Sequence, residues 1–219
     1  MPELPEVEVL VRHLKPLLEG QTITEVHVRR PKILAPTTTR QFGKVLRGAT
    51  FTALSRRGKF LLFHLKTLHS DLPVPLLGHL GMTGRMYLLP AGSPLPKHAV
   101  VVMNLGKEDF VFEDTRYFGR MTLDITSIEK LGPEPLGDEF TPEHFGQALQ
   151  RSTQPIKVKL LDQTLVAGVG NIYASEALFR AGISPRVAAR RLNGPQVQRL
   201  WQAIREVLTE AIKCGSTLP

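Results

Sequence analysis

Pro2 follows the initiator Met1 directly and precedes Glu3 in the opening string MPELPEVEVL, so removal of Met1 exposes a secondary amine. A free α-amino group titrates near ~7.7–8.0 and a lysine near ~10.4, so at neutral pH about a tenth of such a terminus is neutral, against well under a thousandth of a lysine. A neutral amine attacks aldehyde-like carbons, and a chain that needs this reaction gains by using its own terminus. While Met1 stays attached, the Pro2 nitrogen is an amide without a nucleophilic lone pair. Pro2 in this place also serves simply to allow methionine removal and to start a turn, and the residues further along decide between the two uses.

Residue types converge on a ligand a second time in GVGNIYASE, residues 168–176. Asn171 ends a glycine-rich turn and opens a helix, so its side chain and the helix-end amide groups can face a phosphate together. The alternative is a plain N-cap.

The elements that position these residues divide the chain in two. Val7, Leu10, Val11, Leu14, Leu17 and Leu18 recur at helical spacing up to Gly20, which predicts one long helix over 7–19. From Thr22 to Thr126 the pattern changes to eight short β-rich runs, TITEVHV, FTALS, FLLFHL, PLLGHL, RMYLLP, HAVVVMNL, DFVFED and RMTLDI, which suggest a sandwich. LGPEPLGDEF, residues 131–140, is dense in Pro, Gly and acid and reads as a linker. Helical spacing follows over 153–161, 172–181 and 195–213. The fold class read from this order is α+β, with residues 1–132 and 133–219 as the two domains.

The 219 residues carry a net charge of +8, split as +6 up to Gly132 and +2 beyond it. Basic residues spread over both parts favour an anionic polymer lying against the folded surface over one held by a basic tail. No apolar run reaches the length of a membrane span, and Glu3, Glu6 and Glu8 stand where a signal peptide is basic and then apolar. The expected location is the cytoplasm or nucleoid. With Cys214 as the one cysteine, the sequence holds no intramolecular disulfide and no cysteine-based zinc site.

MPELPEVEVL at the start, RRGKF at 56–60, HLGMTG at 79–84, DTRYFG at 114–119, LGPEPL at 131–136 and LLDQTLVAGVGNIYASEALFRAGISP at 160–185 together resemble the formamidopyrimidine-DNA glycosylase family. The resemblance covers almost the whole chain. It implies a β-sandwich domain joined to a helix-two-turn-helix domain, removal of oxidised purines such as 8-oxoguanine and formamidopyrimidine from DNA, and strand cutting as an apurinic/apyrimidinic lyase. The related endonuclease VIII branch, which prefers oxidised pyrimidines, typically opens PEGPE, and Leu4 here favours the purine branch.

The resemblance also implies residue roles. Pro2 is the nucleophile and Glu3 the acid/base; Lys59 joins this catalytic set and, with His79 and Asn171, anchors phosphates. Met82, Arg116 and Phe118 fill the void left by an everted nucleotide, Tyr173 and Lys157 lie near DNA, and Glu6, Ser216 and Thr217 line the base pocket. Where the family commonly has a second arginine, this chain has Tyr117. The implied partner is double-stranded DNA containing oxidised bases or abasic sites, met by a monomer with no membrane partner.

Family members continue past the last helix through a loop over the everted purine and into a zinc finger, whereas this sequence stops at CGSTLP. The expectation is therefore a chain without a cofactor, where a full-length member holds one zinc, with weakened DNA binding and strongly reduced excision. A pyrimidine-directed glycosylase and a catalytically silent damaged-DNA-binding fragment are the alternatives.

Overall fold

The computed structural model describes residues 1–68 and 70–215, so Ser216 and Thr217 of the expected base pocket lie outside the described residues. The chain forms two compact units: Met1–Pro2, Leu10–Arg56 and Phe60–Ser127 make the first, and Glu3–Val9, Arg57–Lys59 and Ile128–Pro219 the second.

Eight antiparallel strands build the first unit: β1 (Glu25–Val28), β2 (Thr50–Arg57), β3 (Phe60–Thr67), β4 (Ser70–His79), β5 (Gly84–Pro90), β6 (Ala99–Asn104), β7 (Glu108–Asp114) and β8 (Arg120–Thr122). They form two four-stranded sheets, ordered β1-β6-β7-β5 and β2-β3-β4-β8. Alternate residues of a strand face opposite sides, so Leu61, Phe63 and Leu65 of β3 all turn inward. Phe51 and Phe63 of one sheet meet Phe110 of the other edge to face, with ring centroids 6.3 and 5.8 Å apart, which makes the pair of sheets a sandwich.

The long helix α1 runs Leu4–Leu18, three residues earlier than the apolar spacing predicts. Pro5 falls in its first turn, where a missing N–H costs nothing. Glu6 adds a capping contact, its carboxylate accepting from the Glu3 N–H at 2.8 Å. The expectation of a single helix in the first domain is corrected by α2 (Thr39–Leu46), which buries Phe42 and Leu46. Thr38 caps it by accepting from the Gln41 N–H. Its two buried residues are too few to give a visible period.

The second unit is helical. It contains α3 (Thr126–Glu129, shared with the first unit), α4 (Pro142–Gln150), α5 (Ile156–Leu160), α6 (Asn171–Ala181) and α7 (Gly194–Cys214). A reciprocal capping box of Asn193 and Gln196 starts α7, and Gly215, in the left-handed region, ends it. Leu200, Ile204, Val207 and Leu208 of α7 share a core with Leu4, Leu160, Val169, Tyr173 and Leu178. Residues 131–140, read as a linker, pack within this unit. Among the described residues no helix is long and apolar enough to cross a membrane.

Candidate active site

Glu3 is the organising residue of the second unit. Only 2% exposed, its carboxylate accepts from the backbone N–H groups of Gly170, Ile172 and Tyr173 at 2.8, 2.9 and 3.3 Å. These groups are the unsatisfied donors at the start of α6, where the helix dipole favours a negative charge. Gly170 is required by this approach, since a Cβ there would collide with the Glu3 side chain. Of the helix-end amides expected to face a phosphate, those of Gly170, Ile172 and Tyr173 are held by the chain's own carboxylate. Asn171 is the first helical residue and the N-cap is Gly170, leaving the Asn171 side chain exposed.

Glu6 and Tyr173 complete this group. The buried Tyr173 hydroxyl donates to Glu6 at 2.6 Å, while the second Glu6 oxygen holds the Glu3 N–H. Burial, reinforced by Glu6, pushes the Tyr173 phenol far above its usual range, so it stays a donor at every working pH. Lys59 is 7% exposed. Burial draws its ammonium below the ordinary lysine value, and the charges of Glu3 and then Glu6 oppose that shift. Among the described residues the ammonium makes no hydrogen bond, which keeps it available to an incoming anion. Its turn is fixed from the 131–134 segment. Glu134 accepts from the Gly58 N–H at 2.7 Å and from Arg57 at 3.0 Å, and Arg57 donates on to the Leu131 and Gly132 carbonyls.

In the first unit, Pro2 lines a cavity of about 400 Å³ together with Met82, Thr83, Arg85, Glu113 and Thr115. The sequence-predicted nucleophile and one of the predicted void-filling side chains therefore share one space. Met82 and Phe118 are 44% and 56% exposed. Arg116 stacks on the Phe118 ring, 5.0 Å from its centroid.

Asp114 holds both loops. It is fully buried at the end of β7 and accepts from the Thr83 hydroxyl at 2.7 Å, the Arg116 N–H at 3.1 Å and the Gly119 N–H at 2.7 Å. The loops touch backbone to backbone: at Gly81, with φ of 61°, a Cβ would lie 2.6 Å from Gly119 N. The Gly81 N–H donates to His79 Nδ1 at 3.0 Å, which leaves the ring proton on Nε2, and Phe60 stacks on the same ring. Asp114→Ala strands three donors and is expected to lower the unfolding free energy by about 2–4 kcal/mol. A urea midpoint equal to that of the unaltered chain would show that the loops are held by something else.

Tyr117, the residue that departs from the family pattern, is the one described non-glycine residue with positive φ, at 57°. The Arg30 guanidinium lies over its ring at 4.5 Å, and its hydroxyl takes a hydrogen bond from Arg30 at 3.3 Å and meets His98 Nδ1 at 3.1 Å. These contacts hold a conformation that bulky side chains rarely adopt. Lys157 stands apart from the Glu3 group, in α5, with its N–H bonded to the Pro185 carbonyl. Sequence reasoning passed over Asp114 and Glu134, although both lie inside the quoted motifs DTRYFG and LGPEPL.

The fold is that of a two-unit protein, an antiparallel β-sandwich followed by a helical unit. Residues 1–121 match the family model of the formamidopyrimidine-DNA glycosylase N-terminal domain, and residues 131–218 match that of the formamidopyrimidine-DNA glycosylase H2TH domain. The chain is 42% identical over 217 residues to the formamidopyrimidine-DNA glycosylase of Carboxydothermus hydrogenoformans, covering 99% of itself and 80% of that protein. It is also 42% identical to that of Thermus thermophilus, covering 99% of itself and 78% of the relative. A crystal structure of the Lactococcus lactis enzyme, non-covalently bound to DNA containing an AP site, superposes with a TM-score of 0.90 at 36% identity, covering 98% of this chain and 83% of that one. The chain belongs to the formamidopyrimidine-DNA glycosylase family.

Proposed function

We propose that this protein excises oxidised purines from duplex DNA through an unblocked Pro2 amine and then cuts the strand at the resulting abasic site. The observation that carries the reading is the buried Glu3 carboxylate, clamped by three N–H groups next in sequence to a residue that lines a cavity with Met82. Family membership supports it independently, as do the DNA ligands of similar proteins, one of which, MutM, has a structure in complex with DNA containing carbocyclic 8-oxo-G.

In this mechanism the Pro2 nitrogen donates its electron pair to sugar C1′ while the bond from C1′ to the damaged base breaks. The base leaves and takes a proton from water, Glu3 takes the N–H proton that the Pro2 nitrogen sheds and passes it to the ring oxygen, and the bond from C1′ to that oxygen breaks so that the opened sugar is held as an iminium cation. A secondary amine keeps that cation charged at every pH. The positive charge acidifies the C2′ proton; its removal expels the 3′ phosphate, and a further elimination expels the 5′ phosphate. Lys59 supplies a buried positive charge to a phosphate in these steps, and Glu6 with Tyr173 fixes the position of Glu3. Eversion of the nucleotide costs a few kcal/mol, which Met82 and Phe118 offset by stacking in the gap while Arg116 pairs with the orphaned base.

Residues 1–132 serve as the catalytic domain and 133–219 as the helical DNA-binding domain, in a protein that works on DNA in the cytoplasm or nucleoid. Zinc does not fit the described residues, among which no three His, Cys, Asp or Glu side chains gather, so no step runs through it. The test is release of the free base from duplexes carrying one lesion each, read by mass spectrometry with Met1-free protein. Faster release of 8-oxoguanine than of an oxidised pyrimidine is expected. The opposite order would overturn the purine assignment, and no release from either would overturn the glycosylase reading.

A further inference from the structure

The second unit carries a basic groove that the reaction above does not use. It has a volume of about 590 Å³ and is lined by Arg186, Arg190 and Arg191 with the hydroxyl residues Thr153 and Ser184, and it contains no acidic residue. All three arginines are exposed. Two other arginines of this unit are ion-paired, Arg180 with Glu210 at 2.7 Å and Arg57 with Glu134 at 3.0 Å. Among the described residues the three groove guanidiniums have neither an ion pair nor a side-chain hydrogen bond.

The walls are rigid. A backbone ladder joins residues 152–157 to 185–190 through Ile156 N–H to Val187 O at 2.7 Å, Lys157 N–H to Pro185 O at 3.3 Å, Ala189 N–H to Gln154 O at 2.8 Å and Arg190 N–H to Ser152 O at 3.0 Å. Three planar forks of donors with two hydroxyls, held on a fixed backbone, suit phosphate oxygens, and an unpaired guanidinium gives up no internal partner when it binds one. The backbone of Lys157, to which the family resemblance assigns a place near DNA, belongs to the same ladder.

We propose that the groove of Arg186, Arg190 and Arg191 binds the phosphodiester backbone of duplex DNA away from the lesion, as a second grip that is indifferent to sequence and damage. This rests on the reading of the protein as DNA-binding. The ligand is a run of phosphates, and a free phosphate ion is the other source of the same chemistry. Each phosphate neutralised steepens the dependence of log K on log salt by about 0.9.

The test replaces all three arginines by glutamine and measures binding of an undamaged duplex across a salt series. A second variant, Arg40→Gln/Lys44→Gln/Arg47→Gln on α2, changes the net charge equally. The groove variant is expected to flatten the slope by about 2 to 3 and the α2 variant to leave it unaltered. An unaltered slope in the groove variant, or an equal change in both, overturns the proposal. So does inorganic phosphate competing with the duplex at equimolar concentration, which marks a site for the free ion. Base release by the unaltered protein is read separately: groove-dependent binding without base release sinks the glycosylase reading alone, and base release without groove-dependent binding sinks the groove alone.

Discussion

Protein that keeps Met1 is expected to form no covalent adduct with abasic DNA under borohydride, while the same chain without Met1 is trapped. The effect is at least about 10³-fold, because acylation removes the electron pair that attacks C1′ and leaves covalent catalysis without its nucleophile. Pro2 is only partly buried and precedes the first helical residue, so both forms fold alike and give the same thermal midpoint. Mass spectrometry of the terminus sorts the two populations before the assay. Equal trapping by both forms would move the nucleophile elsewhere, with Lys59 as the next amine to examine.

Glu3→Gln is expected to injure reaction and fold together. Loss of the acid should slow base release by about 10²- to 10⁴-fold, the usual contribution of a positioned proton donor. Trapping on a preformed abasic site should fall much less, since that sugar already opens to its aldehyde in water without the enzyme's acid. The same change replaces an acceptor of three N–H bonds by an amide whose NH₂ cannot accept, so the unfolding free energy should drop by about 1–3 kcal/mol. Gly170→Ala, which crowds the carboxylate without altering its charge, separates the two effects by destabilising the fold while leaving an acid in place. A Glu3→Gln protein that releases base at the unaltered rate would remove Glu3 from the mechanism.

Legibility of these features in the sequence followed the range of the interaction. The eight strands declare themselves by composition, a local property, since each corresponds to a run of β-rich residues. The α7 helix likewise shows its apolar stripe within its own 21 residues. The short α2 helix has no such stripe and was hidden among the strands. What stayed illegible is pairing at a distance: Glu3 meets α6 across 167 to 170 positions, and nothing near either partner announces the other. Asp114 was visible inside DTRYFG but silent as to purpose, because hydrogen bonds to Thr83, Arg116 and Gly119 are set by how two loops meet. The motif resemblance assigned roles to Pro2, Glu3 and Lys59 but none to Asp114 or Glu134, the residues in the same motifs that hold the others in place.

The bond between Glu3 and α6 also sets a clock. Chain ends usually fray, yet here the third residue translated is fastened to a helix that begins at residue 171. At about 5–20 residues per second, ribosomes deliver that helix roughly 10–30 s after the N-terminus emerges. Throughout that interval the nascent start of the protein is a loose peptide, and the Glu3 carboxylate has no partner to hold it. The N-terminal segment thus gains its place only after the residues of α6 have been made, so the order of synthesis is also an order of assembly.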